Sequence, residues 1–172
     1  MSVFEGRPRG AGRRIAIVAA RFNEVITGKL VEGAMAGLAA LGVASDAIDV
    51  AWVPGAFEIP FVARRLARSG RFDGLICLGA VIRGETAHFD LVANEAARGI
   101  ADAARDTGVP IIFEVLAVES LAQAEDRAGG AHGNKGWEAA EAVLSMVSLL
   151  EELPRDAIGG GSRETAKTGG TT

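Results

Sequence analysis

Gly74-Leu75-Ile76-Cys77-Leu78-Gly79-Ala80-Val81-Ile82-Arg83-Gly84-Glu85-Thr86-Ala87-His88-Phe89-Asp90 decides the fold. Its first five residues read as a buried strand, and from Thr86 through Ile100 the apolar residues recur at helical spacing. Arg83 to His88 therefore lie where a strand hands over to a helix. The same alternation extends in both directions. Arg14 to Ala20, Ile48 to Val53 and Ile111 to Val118 read as strands, as does Gly74 to Leu78 or beyond. Thr27 to Leu41, closed by Gly42, Ile59 to Ala67 and Phe89 to Arg105 read as the intervening helices, with Leu121 to Ala128 and Trp137 to Leu153 following the last strand. Strands separated by helices predict a three-layer α/β/α sandwich with a mainly parallel, flavodoxin-like sheet and right-handed crossovers.

The handover segment also carries chemistry. Gly79 and Gly84 have the spacing of a P-loop, but Glu85 stands where that motif needs a lysine for the outer phosphates, which argues against a nucleoside triphosphate. Free N–H groups near Glu85 and Thr86, with the Thr86 hydroxyl, suit a single phosphate at a helix N-terminus, provided the Glu85 side chain points away. His88 would place a proton carrier beside it. The plainer alternative is a helix cap at Thr86 and a surface histidine.

Composition narrows the classes. The chain has 172 residues, enough for one domain that buries about 70% of its unfolded surface. Residues 1–154 are expected to form that domain. Residues 155–172, rich in Gly, Ser and Thr after Pro154, are expected to be a flexible tail. With 18 basic and 22 acidic residues, a net charge of −4 and no basic block, electrostatics give no reason to expect nucleic acid or an anionic membrane. No apolar run approaches the roughly 20 residues of a membrane span, and no export signal is evident, so a cytoplasmic protein is expected. The single cysteine, Cys77, lies in a strand and reads as a buried, inert thiol. Two separated histidines and one cysteine make no familiar ligand spacing, so neither metal nor cofactor is expected.

In open parallel sheets ligands bind beyond the carboxyl ends of the strands. Arg21-Phe22-Asn23 follows the first strand, and Pro54-Gly55-Ala56-Phe57-Glu58 follows the second. Phe22 and Phe57 read either as a stacking platform for a flat ligand or as anchors plugging the core ends. Glu58 could cap a helix or accept hydrogen bonds from a polar substrate. Gly129-Gly130-Ala131-His132-Gly133-Asn134-Lys135-Gly136 matches no nucleotide loop. It reads as a helix-to-helix connection with positive φ angles, His132 exposed, and Arg127 and Lys135 as its flanking cations.

Taken in order, Arg21-Phe22-Asn23, Val53-Pro54-Gly55-Ala56-Phe57-Glu58-Ile59-Pro60, Gly79 to Asp90 and Arg127 to Gly136 resemble the lumazine synthase family over roughly residues 13–152. The resemblance implies condensation of 5-amino-6-(D-ribitylamino)uracil with 3,4-dihydroxy-2-butanone 4-phosphate, the penultimate step of riboflavin synthesis. It implies that Phe22 stacks on the pyrimidine, that Ala56, Phe57 and Glu58 address the ribityl chain and ring edges, and that the turn backbone at Ala80, Val81 and Ile82 reads the ring. Glu85 and Thr86 would hold the phosphate with Arg127, and His88 would move protons. Phe113 and Arg127 would come from a neighbouring subunit of a pentamer or a twelve-pentamer shell, with Lys135 as a further contact. Phe113 read from its strand alone is sheet core. The other classes open to this sequence are a non-catalytic flavin- or lumazine-binding protein and a shell-forming protein.

Overall fold

The structure is a computed structural model that describes residues 1–154. The strand β1 (Ile15–Ala20) is buried along its whole length, because it has a neighbour on each edge and a helical layer on each face. Strands β2 (Ile48–Val53), β3 (Gly74–Ile82) and β4 (Ile111–Val118) complete a parallel sheet in the order β2-β1-β3-β4. Ile15 pairs with Ile48 on one side and Gly74 on the other, and Leu75 pairs with Ile111.

The two-residue alternation of the strands sorts the core into two layers. Ile15, Ile17, Ile76 and Leu78 face α1 (Glu24–Ala40) and α5 (Lys135–Glu152), packing with Leu30, Leu38, Val143 and Leu144. Ala16, Val18, Leu75 and Cys77 face α2 (Ile59–Ala67) and α3 (His88–Thr107), packing with Ile59, Ala63, Ala96 and Ile100. Each fully buried isoleucine or leucine contributes roughly 1.5–3 kcal/mol relative to exposure. The result is the predicted α/β/α sandwich. Cys77 is buried and free, and its burial pushes the thiol far above its ordinary value.

Helix boundaries follow local chemistry. α1 starts three residues ahead of the predicted Thr27, because Asn23 turns into the left-handed region and its carbonyl accepts from Ile26 and Thr27. It ends in a Schellman motif: Gly42, at φ 96°, donates to Ala39 and Val43 donates to Leu38. α4 (Leu121–Arg127) is capped by the Ser120 hydroxyl. α5 starts two residues ahead of the predicted Trp137, because Asn134 Oδ1 accepts from the N–H groups of Gly136 and Trp137 while its Nδ2 donates to the Lys29 carbonyl. α1 and α5 approach closely there, since a Cβ on Gly136 would fall 1.9 Å from the Leu30 carbonyl oxygen.

Two expectations need correction. β3 continues past Leu78 through Gly79 to Ile82, so Ala80, Val81 and Ile82 lie in the strand and not in a turn. The apolar residues 80–82 pair with Leu116, Ala117 and Val118, which is what prolongs the strand. The connection before α5 does carry positive φ at Gly129 and Gly133, but it also closes an antiparallel pair, β5 (Ala128–Gly130) with β6 (Gly133–Asn134). The expected tail, 155–172, lies outside the described residues. No described helix is long and apolar enough to cross a membrane.

Candidate active site

A cleft forms where strands of unequal length end side by side. The last pairing of β1 with β3 is Ala19 with Leu78, yet β3 runs on to Ile82. Over that overhang one edge of β3 is bonded to β4 and the other is open, apart from Asn23 Nδ2 donating to the Ala80 carbonyl at 2.8 Å. The chain leaving β1 is held against the β2 turn, with Arg21 N–H on the Val53 carbonyl at 2.8 Å and Phe22 N–H on the Pro54 carbonyl at 3.0 Å. Phe22, held by that backbone, is 72% exposed.

After β2, a single 3-10 turn, Ala56–Glu58, leads into α2. Ala56 is buried at the cleft floor, while Phe57 and Glu58 are exposed. Glu58 makes no side-chain cap bond to α2, and its carboxylate is exposed at the cleft. Gly55 leaves room for that group, since a Cβ there would lie 3.1 Å from Glu58 Oε2.

Beyond β3, the turn from Arg83 to Ala87 delivers α3. The N–H groups of Glu85 and Thr86 have no hydrogen-bond acceptor among the described residues, and Thr86 Oγ1 accepts only a long bond, 3.4 Å, from His88 N–H. Arg83 fastens this turn. Its Nε donates to Glu119 at 2.8 Å, its Nη atoms donate to Asp90 at 3.3 Å, and its guanidinium lies 4.1 Å from the Phe89 ring centroid. The Asp90 and Glu119 carboxylates, Asp90 first, raise the Arg83 pKa. Arg83, Asp90 and Glu119 thus anchor the first turn of α3, and with it His88. Sequence reasoning placed Arg83 in the turn but assigned it no role, because its partners lie on separate elements.

Phe22, Ala56, Phe57, Glu58, Ala80, Val81, Ile82, Thr86 and His88 line one cleft of about 630 Å³, with Gly55, Gly84, Phe89, Leu91 and Val92. That volume is in the range of small-molecule sites, about 300–1,000 Å³. Glu85 is exposed on the same turn but does not line the cleft. The other predicted residues stand elsewhere. Phe113 is on β4, an edge strand, 41% exposed, on the strand face shared with Ile111 and Val115. Glu114 is half-buried on the opposite face, where burial pushes its carboxyl up, nearby Lys135 pulls it down and Glu138 pushes it up. Lys135 Nζ donates to Glu138 at 2.5 Å. Arg127 Nη1 donates to the Gln123 carbonyl at 3.0 Å, and Arg127 forms no ion pair among the described residues. His132 is exposed between β5 and β6, as expected.

The cleft offers an aromatic face, an open backbone edge, a carboxylate, and an imidazole next to unpaired N–H groups. Such a set can hold a flat polar ring and an anion together and move protons between them.

A family model described as 6,7-dimethyl-8-ribityllumazine synthase matches residues 12–151. A protein of Gemmatimonas aurantiaca named 6,7-dimethyl-8-ribityllumazine synthase is 54% identical over 151 residues, which cover 88% of this chain and 92% of that protein.

Proposed function

Because this chain belongs to the 6,7-dimethyl-8-ribityllumazine synthase family, transferases of riboflavin biosynthesis, we propose that the cleft beyond β1, β2 and β3 is where its reaction takes place. The chain condenses 5-amino-6-(D-ribitylamino)uracil with 3,4-dihydroxy-2-butanone 4-phosphate to give 6,7-dimethyl-8-ribityllumazine, phosphate and water. The observation that carries the site reading is the convergence of Phe22, the open edge of β3 and the Thr86–His88 turn on one cavity.

In this reading the pyrimidine stacks on Phe22 and its polar rim meets the backbone of Ala80, Val81 and Ile82. Ala56, Phe57 and Glu58 take the ribityl chain and ring edges. Offset stacking of aromatic rings contributes about 1 kcal/mol beyond buried area. The phosphate lies against the N–H groups of Glu85 and Thr86 and the Thr86 hydroxyl, at the start of α3. The substrate amine attacks the ketone itself, so no protein nucleophile is required. His88 moves protons during imine formation and phosphate loss, after which tautomerisation and attack by the ribitylamino nitrogen close the second ring. General acid–base assistance contributes about 10²–10⁴-fold, and holding the two substrates together supplies the rest.

Phe113, Arg127 and Lys135 complete the site from a second copy of the chain. Their position off the cleft, with Arg127 uncommitted to any described carboxylate, supports that arrangement. An Arg fork suits a phosphate because it is planar and permanently charged. The assembly would be a pentamer or a shell of pentamers, with residues 1–154 as the catalytic domain. The test is to mix the purified protein with both substrates and follow lumazine absorbance and released phosphate together. Stoichiometric appearance of both is expected; ligand binding without either overturns the reading.

A further inference from the structure

We propose that Asn23 is a positioning residue whose side-chain amide holds the Phe22 platform against the open edge of β3 and so sets the affinity for the pyrimidine substrate. The proposal rests on the reading of Phe22 as the stacking face. Asn23 is the only described non-glycine residue in the left-handed region, at φ 61° and ψ 41°. Asparagine is among the few side chains that tolerate that conformation, and strained backbone of this kind gathers at functional sites.

Three elements meet on this residue. Its Nδ2 donates to the Ala80 carbonyl at 2.8 Å, reaching β3 across 57 positions of sequence. Its carbonyl accepts from Ile26 at 2.9 Å and Thr27 at 3.0 Å, which starts α1. The preceding N–H, that of Phe22, is bound to the Pro54 carbonyl in the β2 turn. Phe22 is thus pinned at its own N–H to the β2 turn and, one residue on, to β3. Because its ring is largely exposed, its place is set by its backbone rather than by packing. Releasing the Asn23 side chain would free one of the two pins on the platform. The same bond takes one of the two lone pairs of the Ala80 carbonyl, so it orients the strand edge that meets the substrate rim.

The test separates the amide from the backbone. Asn23→Gly keeps the left-handed conformation at no steric cost and removes the tether. Asn23→Asp keeps the shape but presents an ionised, acceptor-only group to the Ala80 oxygen. Both are expected to raise KM for the ribitylaminouracil by about three- to tenfold, the weight of one net hydrogen bond, with kcat and the KM for the butanone phosphate within about twofold. Each is also built on Phe22→Ala. If Asn23 acts through Phe22, the second substitution adds little to the first, whereas independent effects would add. An unchanged pyrimidine KM in both variants, an equal rise in both KM values, or additivity with Phe22→Ala would each overturn the proposal. If Phe22→Ala by itself leaves the pyrimidine KM unchanged, the platform reading fails and takes this inference with it.

Discussion

At the carboxyl ends of β1, β2 and β3 the backbone gathers the site, and the cavity exists because β3 outruns β1. At β4, an edge of the sheet, the side chains of Phe113, Arg127 and Lys135 come from a strand, the end of one helix and the start of another, and none of them lines the cleft. Unequal strand lengths make concavity; an edge strand offers a face. In the proposed reading the flat ring is held by a region built within one chain, and the cations suited to the phosphate are supplied by a second copy.

The largest effect is expected within the first region. His88→Ala should lower kcat by about 10²–10⁴-fold without abolishing turnover, measured as lumazine formation at saturating substrates. A rate equal to the parent would remove the imidazole from the mechanism. Next comes the second region. Arg127→Ala should weaken the butanone phosphate by about 1.5–3 kcal/mol, the weight of a charged hydrogen bond, seen as a raised KM. At limiting butanone phosphate, co-assembling Arg127→Ala with His88→Ala chains should give more activity than either variant alone, because some sites then draw both intact residues from different copies. Absence of any recovery would place the two regions in unrelated sites.

Smaller again is Phe22→Ala, expected to cost about 1 kcal/mol in pyrimidine binding, read by titration of that substrate alone. The smallest is Glu114→Gln. The folded-state pKa of Glu114 is raised, chiefly by burial, so between the ordinary carboxylate value and that raised value the folded chain holds more proton than the unfolded one. Stability contributed at this position thus falls as pH rises through that window. The glutamine variant should melt above the parent at neutral pH, and the difference should vanish below the ordinary carboxylate range. A lower melting point at neutral pH would mean that attraction to Lys135 outweighs burial.

These contrasts parallel what the sequence discloses. The βα alternation was legible because β1 and β3 are continuous apolar runs and the helices keep their spacing, and Gly42 announced its own cap. Most cleft residues were legible because they follow strands directly. The length of β3 was obscured by Gly79 and Gly84, which punctuate like a loop although Gly79 packs between Val115 and Ile59 inside the sheet. The β5–β6 pair was hidden by its brevity. Asn23 and Arg83 were visible as residues but silent as contacts, since their partners at Ala80, Asp90 and Glu119 are set by tertiary placement.

A parallel sheet ordered β2-β1-β3-β4 contains no hairpin, so each of its ladders waits for a crossover to be synthesised. Every residue lining the cleft lies between Phe22 and Val92 and leaves the ribosome before Phe113, Arg127 and Lys135. At that stage β3 can pair with β1 but not yet with β4, and Ile15, Ile17, Ile76 and Leu78 have α1 to cover them but not α5. The nascent chain thus carries the outline of a ligand cleft on a half-clothed sheet, with apolar strand faces open to misassembly, until Lys135–Glu152 arrives.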